Sequence, residues 1–380
     1  MTVSSNGAAR LRIDLEALVA NYRKLRSTAN PAQVAAVVKA DGYGLGAVPV
    51  AQALAKEGCR QFFTALLCEA MTLRPSLPQD TDVFVLNGLQ PGTEEECAAI
   101  GAVPVLNSLD QIERWASIAR RLGTTLRAAL QVDTGMSRLG LAPDEQAALK
   151  GAPHLLDGVE PILLMSHLAC ADEPDHAANR VQHDRFVQVA RGFPGLPLAL
   201  DNSGGIFLAR SHFDVVRAGI ALYGGAATGG ENSMAPVISI KAPIVQVRTV
   251  PAGTGMGYGM SFRTKRETRI ATIPVGYADG FPRTLSNRGS AFIAGVRAPI
   301  VGRVSMDSIT LDVSNVPMRH LAVGAPVELI GEHQSLDDVA RDAATISYEI
   351  LVGLGRRYAR EYGALQTSRT DAVDLRSAAA

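Results

Sequence analysis

The sequence predicts a (β/α)8 barrel followed by a second, mostly β domain. Three observations carry that expectation. Eight short apolar runs alternate with helix-period segments through residues 1–222. A Gly-rich stretch, "YGGAATGGENS" (223–233), then interrupts the chain. Beyond it the apolar segments are short, β-branched and separated by Gly and Pro turns.

The eight runs are Val34–Val38, Phe62–Leu67, Val83–Leu86, Val103–Leu106, Leu126–Val132, Ile162–Met165, Leu198–Leu200 and Val215–Val216. They are nearly continuous in apolar residues, as strands covered on both faces must be. Between them, Val50–Lys56, Leu109–Leu122 and Arg180–Val189 carry apolar residues at helical spacing, which suits parallel strands joined by crossover helices. Eight such units suggest a closed barrel, with the active site at the C-terminal ends of its strands. An open doubly wound sheet is the competing arrangement. Downstream, "IVQVRTV" (244–250), "RIATIPV" (269–275), "AFIAGVRAPIVGRV" (291–304), "ITLDV" (309–313) and "PVELIG" (326–331) read as strands. One helix follows, opened by Ser335 with Asp338 three residues on, in the manner of a capping box. The expected domains are 10–228 and 229–380, with residues 1–14 packing against the second.

Composition narrows the function. Lys plus Arg equals Asp plus Glu, 37 each, so no global field favours nucleic acid or an anionic membrane. No run approaches the roughly 20 apolar residues of a membrane span, and the N-terminus has no apolar signal-peptide core. Cys59, Cys68, Cys97 and Cys170 form no C-x-x-C pair, and the seven histidines include no H-E-x-x-H, so no metal site is expected. Reduced thiols in a cytoplasmic protein are the plain reading.

The segment "AVVKADGYGLG" (36–46) ends the first strand on Lys39. A lysine at a strand terminus is commonly a solvated charge. One desolvated at a barrel mouth would have a lowered pKa and act as a nucleophile toward carbonyl compounds. A rival reading takes Gly42-x-Gly44-x-x-Ala47 as a dinucleotide fingerprint, with Glu69 holding a ribose. Lys39 and Asp41 intrude on that motif, and such a half-domain has no use for eight units.

This segment resembles the pyridoxal-phosphate lysine motif of alanine racemases. The resemblance continues in order over about residues 10–365, through "VDTGMSRLG" (132–140), "SHLACADE" (166–173), "DNSGG" (201–205), "VRAGIALYG" (216–224), "GYGMSF" (257–262), "VGYADGF" (275–281), "GRVSMD" (302–307) and "TISYEIL" (345–351). The family combines a cofactor-binding barrel with a β domain and interconverts L- and D-alanine.

The resemblance implies a role for each matched residue. Lys39 would anchor pyridoxal 5'-phosphate covalently and serve as one base. Tyr258 of the partner subunit would be the second, on the opposite face of Cα, and a phenol used so calls for cationic neighbours. Asn202, Ser203, Gly204, Gly219 and Ile220, with the phenols of Tyr43 and Tyr348, would hold the phosphate, Ser203 and Gly204 opening a helix after a strand. Arg217 would face the pyridine nitrogen; without the motif, a strand-end pair with Asp214 is the simpler expectation. His167 would stack on the cofactor ring, where a core histidine satisfied by a backbone carbonyl is the bland alternative. Arg138 and the Met306 N–H would hold the substrate carboxylate, with Tyr277 and Asp307 joining from the partner. A homodimer with composite sites follows, acting on a small molecule and binding neither nucleic acid nor membrane.

The sequence departs from the family at three places. Gln131 stands where many relatives carry a carbamylated lysine, so an anion such as chloride, or the amide itself, is expected to support Arg138. Leu45 replaces a common histidine and Ser305 a common cysteine. Three other functions compete: a pyridoxal-phosphate carrier without turnover, a barrel-type decarboxylase and a nucleotide-dependent oxidoreductase. Residues 234–366 with Tyr258 argue against the first. The second requires a cysteine in the second domain, and all four cysteines precede residue 171.

Overall fold

The computed structural model describes residues 9–363. Strand β1 (Arg10–Ile13) comes first in the chain and belongs to the β unit below. The next eight strands, β2 (Gln33–Val37), β3 (Gln61–Thr64), β4 (Asp82–Val85), β5 (Val103–Leu106), β6 (Leu126–Gln131), β7 (Val159–Met165), β8 (Leu198–Ala199) and β9 (Val215–Ala218), form a closed parallel barrel. Closure falls between β9 and β2, with Val34 opposite Val216 and Ala36 opposite Ala218. The open doubly wound sheet is therefore excluded.

The barrel wall contains an aromatic pair. Phe63 on β3 stacks on Phe84 on β4 with ring centroids 4.4 Å apart, and both are fully buried. Helices cover the outside. Helix Leu109–Leu122 buries Ile112, Trp115, Ala116 and Ala119, one stripe at helical spacing; it begins where Ser108 Oγ accepts the Gln111 N–H and ends at Gly123 in the left-handed region.

One expected strand is shorter than its apolar run. Phe62–Leu67 ends as a strand at Thr64, and Leu67 opens helix Leu67–Leu73. The Glu69 carboxylate accepts the N–H groups of Ala65 (2.7 Å) and Leu66 (3.2 Å), which turns the chain out of the sheet.

The second compact unit comprises chiefly residues 234–363 of the described chain, with β1 and its flanks. It contains β10 (Ile238–Pro243), β11 (Gln246–Val250), β12 (Gly255–Met256), β13 (Phe262–Arg263), β14 (Thr268–Ile273), β15 (Ser290–Ile293), β16 (Val296–Pro299), β17 (Ile309–Asp312), β18 (Pro326–Ile330) and β19 (Ala359–Tyr362). Six of them form a sheet in the order β16-β15-β18-β10-β1-β19, and β11-β14-β17 form another. β1 pairs antiparallel to β10 and parallel to β19, with Leu11 and Ile13 fully buried. The long run 291–304 is a hairpin, β15 and β16 turning at Ala294–Gly295. The Ser335 cap forms as expected, its Oγ accepting the Asp338 N–H. A second helix, Ser347–Gly353, follows where only one was expected.

Among the described residues no helix is long and apolar enough to cross a membrane. Phe63→Ala should destabilise the protein by about 3–4 kcal/mol, since it leaves a void against Phe84. Urea denaturation measures this; a loss below about 1 kcal/mol would show that the site collapses to fill the gap.

Candidate active site

Lys39 lies just past the end of β2, and Val38 before it still bonds to β3 through Phe63 O (2.9 Å). The chain then coils left-handed through Ala40 (φ 53°, ψ 48°), Asp41 (54°, 50°), Gly42 (63°, 46°) and Tyr43 (φ 55°). Left-handed backbone costs a non-glycine residue roughly 1–2 kcal/mol, so such a turn persists only where its surroundings hold it. Asp41 Oδ1 accepts the Ala47 N–H at 2.8 Å, and Glu69 Oε1 accepts the Ala40 N–H at 2.7 Å. The glycine run thus serves a reversal of handedness. Glu69, weighed above as a ribose ligand, commits both carboxylate oxygens to backbone N–H groups.

Around Lys39 the strand ends bring together Arg138, His167 and Arg217, each of which acts electrostatically on its neighbours. Burial, then Arg138 and Arg217, push the Lys39 pKa down, and Glu69 pushes it up. Arg217 on β9 is 3 % exposed. Its Nη2 donates to Ser166 O (2.6 Å), Leu200 O (3.3 Å) and His167 Nδ1 (3.1 Å). Burial lowers its pKa to about 10, opposed by Asp201, and the group stays protonated at neutral pH. The expected pair with Asp214 does not form; that carboxylate accepts the Leu198 N–H instead. Guanidinium nitrogens only donate, so His167 Nδ1 is the acceptor and Nε2 carries the proton. Burial first, then Arg217, Arg138 and Lys39, hold His167 well below the usual histidine range. Arg138 is exposed on the loop after β6, which is tied by Asp133 Oδ1 accepting the N–H groups of Gly135 (2.8 Å) and Met136 (3.0 Å). Gln131 is buried at the end of β6.

Small residues and hydroxyls converge after β8 and β9. Ser203 Oγ accepts the Gly219 N–H at 2.8 Å and the Ala221 N–H at 3.4 Å. A Cβ on Gly219 would stand 2.4 Å from Tyr43 Oη, and one on Gly204 would stand 2.5 Å from Ala171 O. Ile220 is fully buried beside them. The expected helix at Ser203–Gly204 is only a 3-10 turn, Gly205–Phe207, with Asn202 Oδ1 accepting the Gly205 N–H at 3.0 Å. Asp201 before it is fully buried between Arg210 and His212.

The β unit holds the remaining candidates. Tyr258 is 72 % exposed on a 3-10 turn flanked by Gly257 and Gly259. It lines a cavity of about 260 Å³ with Tyr277, Arg283, Arg303, Val304 and Ser305. The Arg303 guanidinium lies against Gly259, so a cation does stand beside the tyrosine's own turn. Tyr277 N–H bonds to Ser305 O and Ala278 N–H to Met306 O, both at 3.0 Å, which brings the two loops together. Asp307 is paired with Arg357 (2.6 Å), which also reaches Asp279 at 3.0 Å. Met306 and Tyr348 are exposed. Sequence reasoning gave no role to Arg283, Arg303 or Asp201, for arginines and aspartates in loops carry no periodic signal.

A larger cavity, about 670 Å³, lies at the N-terminal ends of β2 and β3, lined by Tyr22, Arg26, Gln33, Arg60 and Gln61 among others. None of the residues above lines it, and barrel chemistry belongs to the other end.

Fold and site together define a barrel enzyme built around a desolvated lysine at the strand C-termini. Residues 13–227 match the family model "Alanine racemase, N-terminal domain", and residues 237–362 match "Alanine racemase, C-terminal domain". The chain belongs to the alanine racemase family. It is 54 % identical over 361 residues to the catabolic alanine racemase of Agrobacterium fabrum, covering 94 % of this chain and 93 % of that one. It is 51 % identical to the alanine racemase of Brucella canis over 93 % of each. Among solved structures, alanine racemase from Bartonella henselae with covalently bound pyridoxal phosphate superposes with TM-score 0.90 at 42 % identity, covering 93 % of this chain and 99 % of that one.

A histidine held neutral in the fold leaves a pH signature. Below the ordinary value of 6.5 the unfolded chain gains a proton that folded His167 refuses, so stability falls as pH drops. Urea titrations at about pH 7.5 and pH 5.5 should show wild type losing more stability than His167→Gln. Equal losses would place His167 in a protonatable setting.

Proposed function

We propose that this protein interconverts L- and D-alanine with pyridoxal 5'-phosphate, in sites shared between two subunits. The observation that carries the reading is Lys39, an amine of lowered pKa facing a buried, protonated Arg217. The relatives named above support the substrate.

The residues present fit the cofactor. Arg217 Nη1 is buried with no hydrogen-bond partner, and a ring nitrogen is an acceptor that would satisfy it. Tyr43 Oη, Ser203 and the glycines at 204 and 219 leave a cup in which any Cβ would collide, suited to a phosphate. The family pattern adds Asn202, Ile220 and Tyr348 as phosphate contacts, and His167 would lie against the ring. Lys39 would hold the group covalently. When bound, the cofactor delocalises the charge left as the substrate loses its α-proton.

Racemisation needs proton transfer on both faces of Cα. Lys39 Nζ serves one face, and burial beside Arg138 and Arg217 favours its neutral, proton-accepting form. Tyr258 Oη of the partner subunit serves the other. Arg217 keeps its own protons, so it would leave a bound ring nitrogen unprotonated, a weaker electron sink that would disfavour side reactions. Arg138 and the Met306 N–H bind the substrate carboxylate, and Tyr277 and Asp307 shape the pocket from the partner side.

The dimer is supported by the β unit's surface. Tyr258, Met260, Tyr277, Met306 and Ile346 are large apolar side chains between 44 % and 72 % exposed, a set that a monomer rarely leaves to water. All four cysteines are free, which suits a reducing, cytoplasmic setting.

Chiral chromatography after incubation with L-alanine and the cofactor should show D-alanine from wild type and none from Lys39→Ala. Tyr258→Phe should also be inactive in the L-to-D direction. Co-refolding those two variants should restore up to about a quarter of wild-type activity, because a hybrid dimer regains one intact site. Wild type that binds the cofactor yet forms no D-alanine would favour a carrier instead. Absence of recovery in the mixture would refute the shared site.

A further inference from the structure

We propose that Glu69 is a positioning residue for Lys39: its carboxylate clamps the left-handed turn that aims the lysine and supplies the negative charge opposing Arg138 and Arg217 there. The proposal rests on reading Lys39 as the proton-transfer amine.

Three hydrogen bonds define the clamp. Glu69 Oε1 accepts the Ala40 N–H at 2.7 Å, while Oε2 accepts those of Ala65 (2.7 Å) and Leu66 (3.2 Å). One side chain therefore joins the residue after Lys39 to the corner where β3 gives way to helix Leu67–Leu73. Ala40 is the first left-handed residue of the turn, at φ 53°, and a non-glycine residue stays there only under external hold. Without the clamp the turn would relax toward right-handed backbone, and Lys39 would leave with it. A shift of about 1 Å at a reacting group lowers rates by orders of magnitude.

The same carboxylate acts through charge. The charged and titratable groups acting on Lys39 are Arg138 after β6, Arg217 on β9 and Glu69 on its helix, with His167 after β7 coupled to it; Asp41 on the lysine's own turn is engaged by the Ala47 N–H. Burial and the two arginines favour the neutral amine, and Glu69 opposes them. Glu69 thus keeps Lys39 able to carry a proton as well as to release one, and a base that must return protons needs both.

The test uses the full-length chain freed of cofactor. Acetic anhydride labels only neutral amines, and peptide mass spectrometry across a pH series reads the titration of Lys39 directly. In Glu69→Gln the midpoint should move to lower pH, with Lys39 labelled several-fold faster near neutrality. Reloaded with cofactor, that variant should lose about tenfold in kcat with little change in KM, since Arg138 and Met306 are untouched. Glu69→Asp keeps the charge and falls short of the Ala40 N–H; its Lys39 midpoint should stay near wild type while kcat falls. Ala40→Gly combined with Glu69→Gln removes the left-handed cost and keeps the chain folded should the single variant not fold; its Lys39 midpoint should still move down. An unmoved midpoint in a folded Gln variant, or full kcat in Glu69→Asp, overturns the proposal. Failure of the racemase reading would appear separately, as wild type forming no D-alanine with its labelling profile intact.

Discussion

The site depends on one guanidinium buried where three strands end. Arg217 rises from β9 and bonds to Ser166 after β7, Leu200 after β8 and His167 beside them. A charge taken out of water must be hydrogen-bonded at its edges, or the fold loses several kcal/mol. Meeting that demand fixes the relative positions of these loops. It also sets the electrostatics of the mouth: His167 is held neutral and Lys39 is pushed toward its neutral form. The lone unpartnered nitrogen, Nη1, is the one feature of this network that points to a ligand.

Opposing that cation are two carboxylates in different ways. Asp201 lies fully buried with Arg210 and His212, and its charge helps keep Arg217 protonated. Glu69 accepts the Ala40 N–H in the lysine turn and those of Ala65 and Leu66 after β3, and its charge raises the Lys39 pKa that Arg217 lowers. Left-handed backbone at Ala40, Asp41 and Tyr43 is energetically unfavourable locally. Its persistence next to Lys39 follows the general pattern that strain collects where function needs one fixed geometry.

The β unit gathers a second set of candidate residues. Its loops bring Tyr258 and Tyr277 to one cavity with Arg283 and Arg303, and they leave large apolar side chains in water. Arg357, bridging Asp279 and Asp307, braces the loop that follows Met306.

Much of this was legible in the sequence for a physical reason: burial writes periodicity into a chain. Near-continuous apolar runs such as Val83–Leu86 and Val103–Leu106 announced doubly covered strands, and β-branched segments after residue 233 announced the sheets. The ordered motifs placed Lys39, His167 and Arg217 in one family pattern. Where the reading slipped, side-chain hydrogen bonds to the backbone, which leave no periodicity, had decided the local structure. The run Phe62–Leu67 leaves the sheet after Thr64 because Glu69 reaches back to Ala65 and Leu66. The helix expected at Ser203 stayed a single 3-10 turn, with Asn202 capping it and Ser203 Oγ accepting the Gly219 and Ala221 N–H groups. The sequence by itself determined the elements and the residue types that could do the chemistry, since both follow from local pattern. Closure of the barrel, the partners of Arg217, and the role of Glu69 were decided only by tertiary structure. Each depends on groups that meet across strand ends tens of residues apart, and local periodicity carries no record of such meetings.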